Sequence, residues 1–341
     1  MKMGVFGLPY EYIDRCIQKL GSEFKSLEGK KLTILGGTGF FGSWISSIFI
    51  EAINNGLDLK LNILSRSKSE NVNRVNIDSS KIKFCNLDIG DGIPKALLDV
   101  NFLIFSATSS TPSHGNQDNL SILRTSISFQ KAIKEISIAG QVESILNLSS
   151  GSVYGNRNVS NKPIKETNIF ERTKFNDYQK AKISIEECLM QERSSNPNLK
   201  YSSPRLFTFY GPGLPIDAHF AIGNFIGSAY KKEALIVKGN KDTVRSYLHV
   251  ADASTSLIKI LLKPNNEPMN LGSPNEFRIE DLAINITDCF KLPDVYFSEE
   301  SVDVSYYVPS VENLKSWIGE FESIDFEAGI RDWVDWLKFN S

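Results

Sequence analysis

Tyr178 and Lys182, in the stretch YQKAK, stand four residues apart, a spacing that puts both side chains on one face of a helix. A free phenol loses its proton near pH ~10. A cation beside it favours phenolate and lowers that value toward the working range. Such a pair can give or take the one proton of an alcohol–ketone exchange. The pattern is common by itself and gains weight from NLSSGSVYG, Asn147 to Gly155, where an apolar run ends in serines and no acid. A hydroxyl there can hydrogen-bond a reacting carbonyl oxygen and stabilise the charge that develops on it. Ser150, four residues before Tyr154, is the best placed, with Ser149 and Ser152 as neighbours.

An alcohol–ketone exchange also needs a hydride carrier. GGTGFFG supplies Gly36, Gly39 and Gly42, with Thr38, Phe40 and Phe41 between them, directly after the strand-like KLTIL and before the apolar SWISSIFIEAI. A strand, a glycine turn and a helix start are what a pyrophosphate needs: close backbone approach and a helix N-terminus. A dinucleotide without a 2′-phosphate usually meets an acid after the second strand. Here that strand runs into Ser65, Arg66, Ser67 and Lys68. A guanidinium and hydroxyls suit a 2′-phosphate that a carboxylate would repel. NADP(H) is therefore the favoured cofactor, with NAD(H) as the alternative. Asp88 and Ile89, closing the third strand, are placed at the adenine edge. Ser106, Ala107 and Thr108 are expected to run past the cofactor, and Ser109, Ser110 and Thr111 to meet the substrate.

Five short apolar runs, at 31–35, 59–64, 81–87, 100–107 and 142–149, alternate with helical segments. That alternation predicts an α/β fold, a Rossmann-type doubly wound parallel sheet, with a smaller C-terminal substrate-binding lobe. The expected division is a helical lead-in over 1–29, with Tyr12, Ile13, Cys16, Ile17 and Leu20 at helical spacing, then a dinucleotide-binding domain over 30–194. Residues 195–341 are expected to form mainly the lobe, interleaved with the sheet, to which a strand at about 200–208 is added. Trp333 and Trp336 on the last helix read as core contacts, and His249 as structural. Within LPIDAHFAIGNFI, His219 and Asn224 are candidates for substrate contact, whereas His114 reads as a surface loop residue.

Composition narrows the class. A net charge of −2 with Lys and Arg spread along the chain lacks the footprint of a nucleic-acid binder. No apolar run reaches the ~18 residues of a membrane helix, and the N-terminus lacks the apolar core of a signal peptide. A cytoplasmic protein is expected. Cys16, Cys85, Cys188 and Cys289 are too far apart for a CxxC site, and three histidines argue against a metal centre. Cys85, within an apolar run, reads as a small buried hydrophobe.

In order and spacing, GGTGFFG, SSGSVYG, YQKAK, RLFTFYGPG and VRSYLHVAD resemble the extended short-chain dehydrogenase/reductase family, the NAD(P)-dependent nucleotide-sugar epimerases, dehydratases and reductases. The resemblance covers roughly residues 30 to 340 and leaves the lead-in outside. It implies that Ser150, Tyr178 and Lys182 are the catalytic triad, that Tyr178 and Lys182 also contact the cofactor, with Lys182 orienting its ribose, and that Gly36, Gly39 and Gly42 form the cofactor loop. It further implies that Arg245 grips the diphosphate of a nucleotide sugar and that the protein is a homodimer. Thr208 stands where many relatives have Asn, so contact with diphosphate or sugar there is altered. Relatives that dehydrate a nucleotide-hexose carry Asp-Glu after the triad hydroxyl, and nucleotide-glucuronate decarboxylases keep the Glu. This chain has Gly151 and Ser152, which speaks against 4,6-dehydration. The expected activity is NADPH-dependent reduction of a nucleotide-linked 4-keto-6-deoxyhexose. A 4-epimerase holding NAD tightly is the alternative, and a non-catalytic NAD(P)-binding regulator is disfavoured by the Tyr-Lys pair.

Overall fold

Short apolar runs separated by amphipathic helices can bury both faces only in a parallel sheet covered on each side. The computed structural model shows that sheet; it describes residues 2–66, 77–107, 116–155, 162–168, 172–216, 220–298, 304–320 and 323–340. The main strands are β1 (Lys30–Leu35), β2 (Leu59–Ser65), β3 (Ile82–Asn86), β4 (Phe102–Phe105), β5 (Ser144–Asn147), β6 (Ser149–Ser150) and β7 (Tyr201–Leu206). The C-terminal part adds β8 (Phe209–Tyr210), β9 (Leu235–Val237), β10 (Val244–Ser246), β11 (Leu248–His249), β12 (Pro268–Leu271), β13 (Glu276–Arg278), β14 (Val295–Phe297) and β15 (Tyr306–Tyr307). In space the sheet runs β3-β2-β1-β4-β5-β7-β12, all parallel, with β6 paired to β7. The order reverses direction between β1 and β4, which is where such sheets bind their ligands.

Helices α1 (Tyr10–Leu20), α2 (Phe40–Asn54), α3 (Asn116–Ala139) and α4 (Asp177–Ser195) precede α5 (Ala221–Lys231), α6 (Val250–Leu262), α7 (Ile279–Phe290), α8 (Glu312–Ile318) and α9 (Phe326–Asn340). On one face of the sheet Leu32 and Ile34 pack with Trp44, Ile48, Leu257 and Leu261. On the other, Leu35, Leu103 and Phe105 pack with Phe129, Ile133 and Ile185, and the Phe105 and Phe129 rings stack 3.9 Å apart. A separate core joins α5, α7 and α9 around Phe225, Ile286 and Trp333. Among the described residues, no helix is long and apolar enough to cross a membrane.

The C-terminal stretch, expected to interleave with the sheet, adds β12 beside β7. Cys85 is half-buried rather than buried, because β3 is an edge strand with Lys83 and Phe84 exposed. The lead-in is built into the main core: Val5, Leu8, Ile13, Cys16, Leu20 and Leu27 are buried with residues of α2 and α6. Polar contacts fix it further. Trp336 Nε1 donates to the Gly7 carbonyl (2.6 Å), the Tyr12 hydroxyl donates to Asp332, and Lys19 pairs with the buried Asp252 at 3.1 Å. The segment thus ties the sheet-covering helices to α9. His249 is fully buried; its Nδ1 accepts from Ala251 N at the start of α6, and burial pushes its pKa down to about 3.

Candidate active site

At the dinucleotide end the chain turns tightly after β1. Gly36 adopts φ +84, a conformation glycine takes without strain. A Cβ on it would stand 2.6 Å from Ala107 Cα, and one on Gly42 would stand 2.0 Å from the Gly36 carbonyl oxygen. Both positions are closed to any larger residue. Gly39 differs: it caps α2, and a Cβ there would meet only the Gly36 oxygen at 3.5 Å. The protein's own packing leaves that space over the helix N-terminus open, which fits a pyrophosphate held by backbone N–H groups. Phe40 and Phe41 open α2 and pack edge to face, 5.1 Å apart.

Around the ends of β2 and β3, the Thr38 and Ser65 hydroxyls hydrogen-bond at 2.5 Å. Arg66 is exposed, with Nη1 3.4 Å from the Ser121 hydroxyl of α3. Asp88 accepts from Gly90 N at 2.8 Å and so caps the next turn. The Ile89 side chain is buried in the core and serves packing. Ser106 Oγ lies 3.4 Å from the Gly36 carbonyl, and Ala107 lies against Gly36. Ser67, Thr108, Ser109, Ser110, Thr111, His114 and His219 lie outside the described residues.

The strand end and α4 meet at the centre of the sheet. A capping box fixes where α4 begins: Asn176 Oδ1 accepts from Gln179 N, and Gln179 Oε1 accepts from Asn176 N, both at 2.9 Å. Gln179 Nε2 also donates to the Ser152 carbonyl (2.9 Å), which locks the first helical turn to the serine turn. Tyr178, in that first turn, is close enough to Ser150, which is 9% exposed, for that hydroxyl to act on its phenol. Ser150 Oγ also accepts from Ser152 N (3.1 Å). Lys182, 3% exposed, donates from Nζ to the Leu148 carbonyl (2.6 Å) and lies 5.6 Å from the centre of the Tyr178 ring. Burial raises the Tyr178 pKa, and the Ser150 hydrogen bond works the other way. The lowering expected from Lys182 is therefore not what the site shows. Burial instead pushes the Lys182 ammonium down to about 7, opposed by Glu186.

Beside the serine turn, packing accounts for the missing acid. A Cβ on Gly151 would stand 2.4 Å from the Tyr307 hydroxyl and 2.9 Å from the Phe207 ring. Those two rings stack 4.6 Å apart. Ser152 Oγ is buried without a hydrogen-bond partner. β10 and β15 run parallel with Arg245 opposite Tyr307, so the guanidinium lies 5.9 Å from that ring. Arg245 donates to the Val244 carbonyl (2.9 Å) and to the Ser305 carbonyl (3.2 Å) and hydroxyl (2.8 Å). The Thr208 hydroxyl donates to the Ser246 carbonyl, so it braces β10 next to Arg245 instead of facing a ligand. Asn224 is exposed on the first turn of α5.

Sequence reasoning missed the group beneath Lys182. Glu186 is buried and takes Arg205 Nη2 at 2.7 Å and Nε at 3.2 Å, and the Ser149 hydroxyl also donates to it. Arg205 Nη1 donates to Tyr154 Oη (2.9 Å), which donates to Asn270 Oδ1 (2.7 Å). The one sequence signal was Glu186 four residues after Lys182, the same spacing that had singled out Tyr178.

The profile of the NAD dependent epimerase/dehydratase family matches residues 32–272. UDP-glucuronic acid decarboxylase 3 of Arabidopsis thaliana is 25% identical over 260 residues, covering 76% of this chain and 74% of that protein. UDP-glucose 4-epimerase of Thermotoga maritima, solved with UDP-glucose, superposes with a TM-score of 0.75 at 20% identity, over 91% of this chain and 99% of the other. The dTDP-glucose 4,6-dehydratase of Bacillus anthracis, solved with NAD, gives 0.74 at 19% identity, over 92% and 97%. At these identities the likeness to the two solved proteins is one of fold.

Proposed function

The chain belongs to the NAD dependent epimerase/dehydratase family, and from that premise we propose that it reduces a nucleotide-linked 4-keto-6-deoxyhexose at C4 with NADPH. One observation carries the reading: Ser150, Tyr178 and Lys182 converge on a turn whose next residue, Gly151, has its side-chain space taken by Tyr307 and Phe207. The turn therefore offers hydroxyls for one proton transfer and no carboxylate for a separate elimination. Gly36, Gly39 and Gly42 would hold the pyrophosphate, with Arg66 and Ser65 toward a 2′-phosphate. When bound, the cofactor supplies the hydride that ends on C4. Ser150 hydrogen-bonds the carbonyl oxygen; Tyr178 gives its proton to the alkoxide and is reprotonated from solvent. Burial, which raises the Tyr178 pKa, keeps the phenol protonated and ready to act as the acid. Arg245 would take the diphosphate.

A second reading, 4-epimerisation with tightly held NAD, is favoured by the family's NAD dependence and by the NAD of the Bacillus anthracis dehydratase. It uses the same three residues. The cofactor released from freshly purified protein, followed by titrations with NADPH and NADH, separates the two. Stoichiometric NAD would overturn the reductase; protein that binds NADPH far better than NADH would support it. The expected homodimer would bury Leu120 and Ile127 of α3 and Met190 of α4, which are 61%, 52% and 50% exposed. A monomeric mass in solution would refute that arrangement.

A further inference from the structure

Glu186 takes no part in the steps above, yet it is 3% exposed one helical turn beyond Lys182. Its bidentate contact with Arg205 already balances its charge. Lys182 adds a second cation, itself buried, and burial pushes that ammonium down to about 7 even with Glu186 working against the loss. The groups that face Lys182 include Tyr178 and Glu186 from α4, the Phe105 ring from β4 (6.0 Å), and the Leu148 carbonyl before β6. Arg205 of β7 and Tyr154 stand behind Glu186. Ser149 joins the carboxylate to the strand end that carries Ser150.

We infer that Glu186 is a positioning residue that keeps Lys182 cationic, and holds the Ser149–Ser150 strand end in place, under the conditions in which the site works. Without the carboxylate, the part-buried Arg205 and the buried Lys182 would be two like charges no longer bridged by Glu186. Lysine is the one that can shed its proton, since arginine stays charged. A neutral lysine would no longer offer a charged donor to the ribose hydroxyls of a dinucleotide. The inference rests on Lys182 serving a dinucleotide, but not on which sugar is reduced.

The test is the pH dependence of NADPH and NADH binding to the full chain, followed by fluorescence without any sugar, for wild type, Glu186→Gln and Glu186→Asp. Thermal unfolding runs beside it. Affinity should fall as pH rises through the Lys182 pKa. In Glu186→Gln that midpoint should drop by about one pH unit or more, with Glu186→Asp in between. A purely structural Glu186 would lower the unfolding temperature and leave the midpoint where it was. That result in a folded variant overturns the inference, as does a wild-type affinity flat with pH. If Glu186→Gln does not fold, Glu186→Asp decides: a lowered midpoint supports the inference and an unmoved one overturns it. Failure of the proposed sugar to react would count against the proposed activity and leave this readout intact.

Discussion

The two ends of the cleft are held by different means. At the dinucleotide end, the main chain does the holding: Gly36 and Gly42 are fixed by backbone atoms 2.6 and 2.0 Å from where their Cβ atoms would be. At the sugar end, side chains do it: Tyr307 and Phe207 fill the space beside Gly151, and Thr208 and Ser305 brace the strand that bears Arg245. A main-chain site tolerates little change in its own residues and accepts any ligand with the right backbone contacts. A side-chain site can be re-cut one residue at a time, which is how one fold carries many reactions.

Tyr178→Phe tests the seam between the ends and should have the largest effect. It removes the proton donor and leaves both binding regions whole, so kcat should fall by about 10²–10⁴ with cofactor affinity unchanged. Equal turnover in the variant would remove Tyr178 from the chemistry. Gly42→Ala attacks the main-chain end. One methyl must displace the Gly36 carbonyl, and overpacking of this kind costs about 1–3 kcal/mol. Cofactor affinity should drop by about a hundredfold or by loss of the fold. Wild-type affinity would show that the loop is more pliable than its geometry implies.

How much of this was legible follows the same division. The glycine loop, the serine turn and the Tyr-Lys pair each lie within a few residues of chain, and each has a local physical requirement that a sequence can display. The Gly151–Tyr307 contact joins residues far apart in sequence, and no local rule relates them. Thr208 looked like a ligand contact because its neighbours match a motif; its hydroxyl is instead donated to Ser246, a partner brought in by the pairing of β8 with β11. Glu186 was within reach by spacing, yet its meaning depends on Arg205 arriving along β7. The lead-in showed its helix but not its partners, because α6 and α9 lie more than two hundred residues on.

Arg66→Ala sharpens the comparison at a place where the dinucleotide end would depend on a side chain. A charged hydrogen bond contributes about 1.5–3 kcal/mol, so NADPH affinity should fall roughly tenfold or more while NADH affinity stays level. Equal losses for both cofactors would mean that Arg66 does not meet a 2′-phosphate.

Thr208→Val should have the smallest effect and divides the two ends most cleanly. Valine keeps the branched shape and removes the donor, leaving the Ser246 carbonyl without that partner. An unmade hydrogen bond of this kind costs about 1–3 kcal/mol, felt first in β10 and therefore at Arg245. The substrate KM should rise several-fold, kcat should change little, and cofactor affinity should not move. A fall in kcat with KM unchanged would place the threonine hydroxyl in the reaction itself. A fall in cofactor affinity would mean that the two ends are coupled through the sheet, and that the division between main-chain and side-chain holding does not describe how this site binds.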